Sequence, residues 1–168
     1  MSQQERPLWA PWRIEFIRSP KDKTCFLCGN EKEDASRPEE SLLVARMKTC
    51  FAILNRYPYN SGHLLVAPYR HVGDIAALAP EELHELMDAC VASKKVLAKL
   101  MFPDAFNIGF NLGVAAGAGL ADHLHLHIVP RWNGDTNFMP VIDGARVVPE
   151  ALEETAKALR KTWSELAL

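Results

Sequence analysis

Short apolar runs and two long amphipathic stripes divide the chain into elements. Leu42–Arg46 and Cys50–Asn55 read as two short strands joined by the turn Met47-Lys48-Thr49, and His63–Ala67 as a third strand ended by Pro68. Tyr57–Gly62, with Pro, Asn, Ser and Gly, reads as a loop between strands. Pro80-Glu81-Glu82 opens a helix, because acidic residues in a first turn face the positive end of its dipole. Its apolar positions are Leu83, Leu86, Met87, Cys90, Leu97, Leu100 and Met101, and Pro103 stops it. Ala105–Asn111 is a fourth strand and Gly113–Gly119 a flexible loop. A last helix, from about Pro149 to Leu166, carries Leu152, Ala156, Leu159, Trp163 and Leu166 on one stripe. The order of three strands, helix, two strands and helix predicts an α+β fold with an antiparallel sheet. The first forty residues lack sustained periodicity and read as an ordered arm followed by a loop.

The fifth strand is the unusual one. In His123-Leu124-His125-Leu126-His127-Ile128-Val129 three histidines alternate with branched apolar residues. Period-two geometry puts the imidazoles on one face and gives Leu124, Leu126 and Ile128 to a core. Imidazole is largely neutral, nucleophilic and protonatable near pH 7, so the row points to proton transfer, covalent catalysis or metal binding. Same-face neighbours in a strand stand about 6.6 Å apart, which strains convergence of all three rings on one metal. A central nucleophile, His125, flanked by two helpers fits better. Upstream, Gly113, Gly117 and Gly119 let backbone amides approach a phosphate, but the Gly-Lys-Ser/Thr ending of a P-loop is missing.

Composition narrows the setting. At 168 residues with 48% hydrophobic and 24% charged residues, the chain suits one soluble domain. A net charge of −2 provides no global basic field for nucleic acid. Apolar runs fall short of the roughly 20 residues of a membrane span, and the N-terminus lacks a signal-peptide core, so a cytoplasmic location without membrane association is expected. The four cysteines are too few for a secreted disulfide scaffold. Cys25-Phe26-Leu27-Cys28-Gly29 has the shape of half a zinc site, whereas Cys50 and Cys90 fall on apolar faces and read as core. His84 reads as a solvated helix residue, and Arg131 as either a phosphate-side charge or a surface ion pair.

These motifs resemble a known family. His-Leu-His-Leu-His-Ile-Val matches the histidine triad (HIT) signature, His-φ-His-φ-His-φ-φ with φ apolar. Phe51–Arg56 and Gly62–Pro68 look like the nucleotide-pocket strands of the fragile-histidine-triad branch. Pro130–Pro140 and the Trp9-Ala10-Pro11-Trp12 arm are similar to bacterial diadenosine tetraphosphate phosphorylases and hydrolases. The resemblance covers roughly residues 8–142. It implies a HIT fold of about five antiparallel strands with a long helix over 41–142, an N-terminal arm over 1–40 and a C-terminal helical extension over 143–168.

It also implies a nucleotidyl hydrolase or transferase that acts on an adenine nucleotide or dinucleoside polyphosphate through a nucleotidyl-His125 intermediate. His123 and His127 would orient it and bind phosphate oxygens, with one of them assisting the leaving group. Asn55 would hold the ribose, His63 would lie near the base pocket, Asn111 would contact phosphate, and Gly117 and Gly119 would border the polyphosphate. Zinc would be held by Cys25, Cys28, His71 and His123, with Mg possible on the substrate, and a homodimer is expected. The loop Gly117-Ala118-Gly119-Leu120 lacks the serine hydroxyl that resembling phosphorylases carry, so hydrolysis stands beside phosphorolysis and phosphoramidate cleavage. Two readings from other classes remain: a metal-dependent hydrolase using the histidine row as ligands, and a non-catalytic nucleotide-binding module.

Overall fold

The computed structural model describes residues 25–30, 42–135 and 151–166. Trp9, Trp12 and the Asn137–Pro140 tail lie outside them. The described elements are α1 (Phe26–Asn30), β1 (Leu43–Arg46), β2 (Cys50–Leu54), β3 (Leu64–Pro68), α2 (Pro80–Met101), β4 (Ala105–Phe110), β5 (Leu126–Arg131) and α3 (Leu152–Glu165), with short 3₁₀ turns at Ile75–Ala77 and Val114–Ala116. The strands form one antiparallel five-stranded sheet ordered β1-β2-β3-β5-β4, the α+β architecture expected. No helix among the described residues is long and apolar enough to cross a membrane.

Helix α2 packs on β2, β3 and β5, while α3 packs on α2, β1 and β2. Every residue of β2 and β3 is buried, so these central strands are near-continuous apolar runs rather than alternating ones. The α3 stripe seats Ala156, Leu159 and Trp163 in the core, and Arg160 ties the helix to β1 by donating to the Leu43 carbonyl at 2.8 Å. Leu27, between the two cysteines of the arm, is fully buried in the same core, so a Cys-x-x-Cys segment is pinned to the sheet by its own apolar spacer. Glu85 of α2 accepts hydrogen bonds from Lys48 N, Thr49 N and the Thr49 hydroxyl, locking the β1–β2 turn onto the helix.

Two expectations are corrected here. Along α2 the buried residues are Leu86, Ala89, Cys90, Ser93, Val96 and Leu97, whereas Leu83 and Met87 stand 37% and 44% exposed. The apolar stripe is wider than the strip of helix the sheet covers. More consequentially, the histidine strand begins only at Leu126, where pairing with Val66 and Phe110 starts. His123, Leu124 and His125 precede the ladder because other partners take their polar groups: Leu124 N donates to Val72 O at 2.6 Å, and His123 Nε2 lies 2.8 Å from Pro68 O. The apolar side holds as expected, with Leu124, Leu126 and Ile128 all buried.

Two glycines shape the loops that carry site residues. Gly62 has φ of +73°, and a Cβ there would meet Met101 Sδ at 2.5 Å, so the turn into β3 admits no other residue without strain. Gly73 follows His71-Val72, and a Cβ would come within 2.6 Å of Ala121 O, so this backbone touches the segment leading to His123.

Candidate active site and metal centre

Five histidines fall into two groups. Leu65 pairs with His127 and Leu64 with Ile128, which makes His63 a diagonal neighbour of His127 across β3 and β5. His63 Nε2 lies 3.0 Å from His127 Nδ1, and the His127 ring is 4.8 Å from that of His125. Asn55 Nδ2 stands 3.2 Å from His63 Nδ1, and Asn111 Nδ2 3.4 Å from His127 Nε2. The structure thus gathers His63, His125, His127, Asn55 and Asn111 in one place.

Proton positions follow from the partners. Tyr59 N–H donates to His63 Nδ1 at 3.0 Å, so that nitrogen carries a lone pair and a neutral ring is protonated at Nε2. Burial, with repulsion from His127 and His125, pushes the His63 pKa down to about 3, which keeps the ring neutral. His63 Nε2–H therefore donates to His127 Nδ1, and His127 carries its proton at Nε2. The Asn111 amide stands beside that nitrogen at 3.4 Å, where both groups can meet a substrate oxygen. His125 has the opposite tautomer. Its Nδ1 lies 2.8 Å from the His123 carbonyl, which can only accept, so Nδ1 is protonated and Nε2 bears the lone pair. Burial holds the His125 pKa below the usual histidine value, partly offset by that hydrogen bond. A lone pair on one buried imidazole beside an N–H on the next is the arrangement a nucleophile and an acid require.

The His63 state predicts a pH dependence of stability. The unfolded imidazole titrates near 6.5 and the folded one near 3, so below pH 6.5 the unfolded chain binds a proton that the fold refuses. Stability is full above pH 6.5 and is lost as pH falls towards 3, at up to about 1.4 kcal/mol per unit from this group. Urea unfolding at pH 6.5 and 5 is expected to show wild type losing about 2 kcal/mol more than His63→Gln. Equal losses in the two proteins would refute this origin.

His123 belongs to the second group. Its Nε2–H donates to Pro68 O, leaving the Nδ1 lone pair 3.2 Å from Cys25 Sγ and 3.4 Å from Cys28 Sγ. Cys28 Sγ is also 3.3 Å from His71 Nδ1. The four ligand atoms lie within 4.8 Å of one another. Zinc–ligand bonds of about 2.0–2.3 Å in a tetrahedron separate ligand atoms by roughly 3.3–3.8 Å, so this donor set fits a zinc ion. Arg70, adjacent to His71, pairs with Glu82 at 2.6 Å and anchors that loop to α2.

The glycine loop is placed differently from a cradle. Ala116 N and Ala118 N donate to Gly113 O, and Gly117 N to Val114 O, so these amides are engaged within a 3₁₀ turn. Gly117 and Gly119 are exposed. Arg131 forms an ion pair with Asp135 at 2.6 Å, His84 is solvated on α2, and Cys50 and Cys90 are buried. Tyr59 was not legible beforehand: its ring stacks 4.8 Å from His63 and 5.8 Å from His127 while its N–H sets the His63 tautomer. An aromatic residue four positions before a strand-start histidine was the signal available.

Comparison with known proteins agrees with this geometry. The HIT domain family model matches residues 37–134. An AP-4-A phosphorylase of Mycobacterium tuberculosis is 40% identical over 96% of this chain and 86% of its own length. A bis(5'-nucleosyl)-tetraphosphatase [asymmetrical] of Schizosaccharomyces pombe is 37% identical over 58% of this chain and 53% of its own. Among solved structures, a Zn-bound histidine triad family protein from Mycobacterium smegmatis superposes with TM-score 0.68 at 26% identity, covering 86% of this chain and 96% of that one. With the matched segment spanning the sheet, α2 and the histidine row, this chain belongs to the HIT domain family.

Proposed function

We propose that this protein is a nucleotidyl hydrolase or transferase that cleaves the α-phosphate bond of an adenine dinucleotide such as diadenosine tetraphosphate, through a covalent nucleotidyl-His125 intermediate. The carrying observation is the geometry of two rings: His125 Nδ1 lies 2.8 Å from the His123 carbonyl and His127 Nδ1 3.0 Å from His63 Nε2, which assigns a lone pair to His125 Nε2 and an N–H to His127 Nε2. His125 Nε2 attacks the α-phosphorus, the bond to the bridging oxygen breaks, and ATP leaves with that oxygen hydrogen-bonded by His127. Water or inorganic phosphate then displaces His125, giving AMP or ADP. Asn111 holds a phosphate oxygen beside His127, Asn55 the ribose, and Gly117 and Gly119 border the polyphosphate. His63 acts through His127 by fixing its tautomer. Magnesium carried by the substrate would supply charge screening.

Phosphorolysis is the second reading, favoured by the 40% identity to the AP-4-A phosphorylase. A product assay separates the two. Diadenosine tetraphosphate is incubated with and without inorganic phosphate and the nucleotides are resolved by chromatography. AMP plus ATP, indifferent to phosphate, identifies a hydrolase; ADP plus ATP that requires phosphate identifies a phosphorylase. Absence of turnover in both conditions overturns the proposal and returns the site to phosphoramidates or a binding role.

The Cys25, Cys28, His71 and His123 cluster is proposed to hold structural zinc, supported by its ligand spacing and by the Zn-bound mycobacterial structure. Within the same reading the protein forms a homodimer. β4 is an edge strand whose Ile108 is 46% exposed, and such an edge invites pairing with a second copy. Ile108→Lys is expected to shift the protein from dimer to monomer in sedimentation velocity. An unchanged mass distribution would place the interface elsewhere.

A further inference from the structure

We propose that the turn closing β5 is a brace for the leaving-group donor: Asp135 and Asn60 hold the 55–63 loop so that Tyr59 keeps His63, and through it His127, in place. This rests on the reading of His127 as the group that meets the leaving oxygen, and it makes Asn60 and Asp135 positioning residues.

Asp135 is the hub. Its Oδ2 accepts from Arg131 Nε at 2.6 Å, Asn60 Nδ2 at 2.8 Å and Trp132 N at 3.2 Å, and its Oδ1 accepts from Arg131 Nη2 at 2.9 Å. The carboxylate reaches these donors because Gly134, at φ +79°, turns the chain back, and Asp135 N donates to Trp132 O at 3.0 Å. The Asp135 side chain is 10% exposed, so charge-assisted bonds to protein take the place of water around it. Arg131 also donates to Asn107 Oδ1 at 2.9 Å, which ties the hub to β4. Asn60 Nδ2 lies 3.2 Å from Pro130 O as well, and both of its partners are pure acceptors, which fixes the orientation of the amide.

The loop is closed at its base, where Asn55 N donates to His63 O at 2.8 Å, and tied near its tip by Asn60. Asn60 serves both ends of the connection: its side chain is on the end of β5, while its carbonyl accepts from His63 N at 3.2 Å. The residue before it, Tyr59, donates its N–H to His63 Nδ1 at 3.0 Å and lays its ring against those of His63 and His127, at interplanar angles of 27° and 26°. A path of named contacts thus runs from Asp135 through Asn60, Tyr59 and His63 to His127 Nδ1. Asn55 Nδ2 also reaches His63 Nδ1, at 3.2 Å, so loss of the tether loosens the His63–His127 hydrogen bond rather than abolishing it.

Two readouts separate the hydrogen bond from the reaction. In histidine-¹⁵N-labelled protein the His63 Nε2–H proton is assigned by its absence in His63→Gln, and its exchange with water is measured. Asn60→Ala is expected to speed that exchange about tenfold. It is also expected to lower kcat for diadenosine tetraphosphate about tenfold with KM within about twofold of wild type, because a displaced donor costs the transition state rather than binding. Asp135→Ala is expected to do the same, and Asp135→Asn, which keeps an acceptor for Asn60, to fall less. The double variant Asn60→Ala/Asp135→Ala should be no worse than Asp135→Ala, since both changes remove one connection. Glu85→Gln, which loosens α2 from the β1–β2 turn, leaves exchange and kcat unchanged and separates positioning from general destabilisation. Should Asp135→Ala fail to fold, Asn60→Ala carries the test. Unchanged exchange in Asn60→Ala overturns the inference whatever its kcat, and so does faster exchange with wild-type kcat. Wild-type protein without turnover overturns the catalytic reading and this inference with it, and that failure is told apart because the exchange measurement needs no substrate.

Discussion

His125→Ala is expected to lower turnover of diadenosine tetraphosphate by at least about 10⁴-fold while leaving the fold intact. The magnitude follows from the two-step scheme. When the nucleophile is deleted, the covalent route closes, and water must attack the α-phosphorus directly with only binding and hydrogen bonding to help. His125 contributes little else: its ring is buried, makes one hydrogen bond to the His123 carbonyl, and contacts His127 edge-on at 4.8 Å. Substrate or AMP affinity should therefore change by less than about tenfold, whereas kcat collapses. His127→Ala removes an N–H donor rather than the attacking atom and is expected to cost less, about 10²–10³-fold, as for loss of one oxyanion-type donor. The measurement is a single-turnover assay on each variant, with circular dichroism to verify folding. Retention of more than about 1% of wild-type kcat by His125→Ala would remove the covalent mechanism and favour direct attack by water.

Cys28→Ala is expected to reduce bound zinc from about one per chain to less than about a tenth, and to lower the midpoint of thermal unfolding by roughly 6–12 °C. Loss of a ligand from a structural site also removes the folding energy that ligation supplies. Full zinc-finger energies do not apply, because the five-stranded sheet and its two helices retain their own core. What is lost is docking of the arm through Cys25, Leu27 and Cys28, together with the tether on the His71 loop. A loss of about 3 kcal/mol for those contacts corresponds to that shift in a protein of this size. Cys50→Ala is the matched control. Cys50 is buried and lies outside the four-residue cluster, with burial and the nearby Glu85 carboxylate pushing its thiol up to about 12, so zinc content should be unchanged. Metal analysis and calorimetry on the two variants decide the matter. Equal zinc in both proteins would rule out the cluster as the binding site, and zinc loss without thermal loss would rule out a structural role.

Much of the frame was legible in the linear pattern. Strands that are short and apolar, a helix opened by Pro80-Glu81-Glu82 and closed before Pro103, and a final stripe ending at Leu166 all fold as their periodicity indicates. The reason is local: turn residues, caps and a repeating apolar face act over a few positions and survive whatever packs around them. Where the pattern misled, a neighbour decided. Leu83 and Met87 share the periodicity of Leu86 and Cys90, yet they remain exposed because the sheet beneath α2 is narrower than the helix's apolar arc.

The candidate site divides along the same line. Alternation along residues 123–129 determined that Leu124, Leu126 and Ile128 face the core, and the histidine spacing with the Cys-x-x-Cys pair determined which residues carry the chemistry. Only the tertiary structure decided what each histidine does. Pro68 O and the two thiols draw His123 out of the row into the ligand cluster; its carbonyl then fixes the proton of His125; and His63, delivered by the β3–β5 register and oriented by Tyr59 N–H, fixes that of His127. A tautomer depends on which donor or acceptor stands within about 3 Å of each ring nitrogen. Those partners lie on segments remote in sequence, so residue order specifies the imidazoles, and the packing of the sheet against its loops specifies their protons.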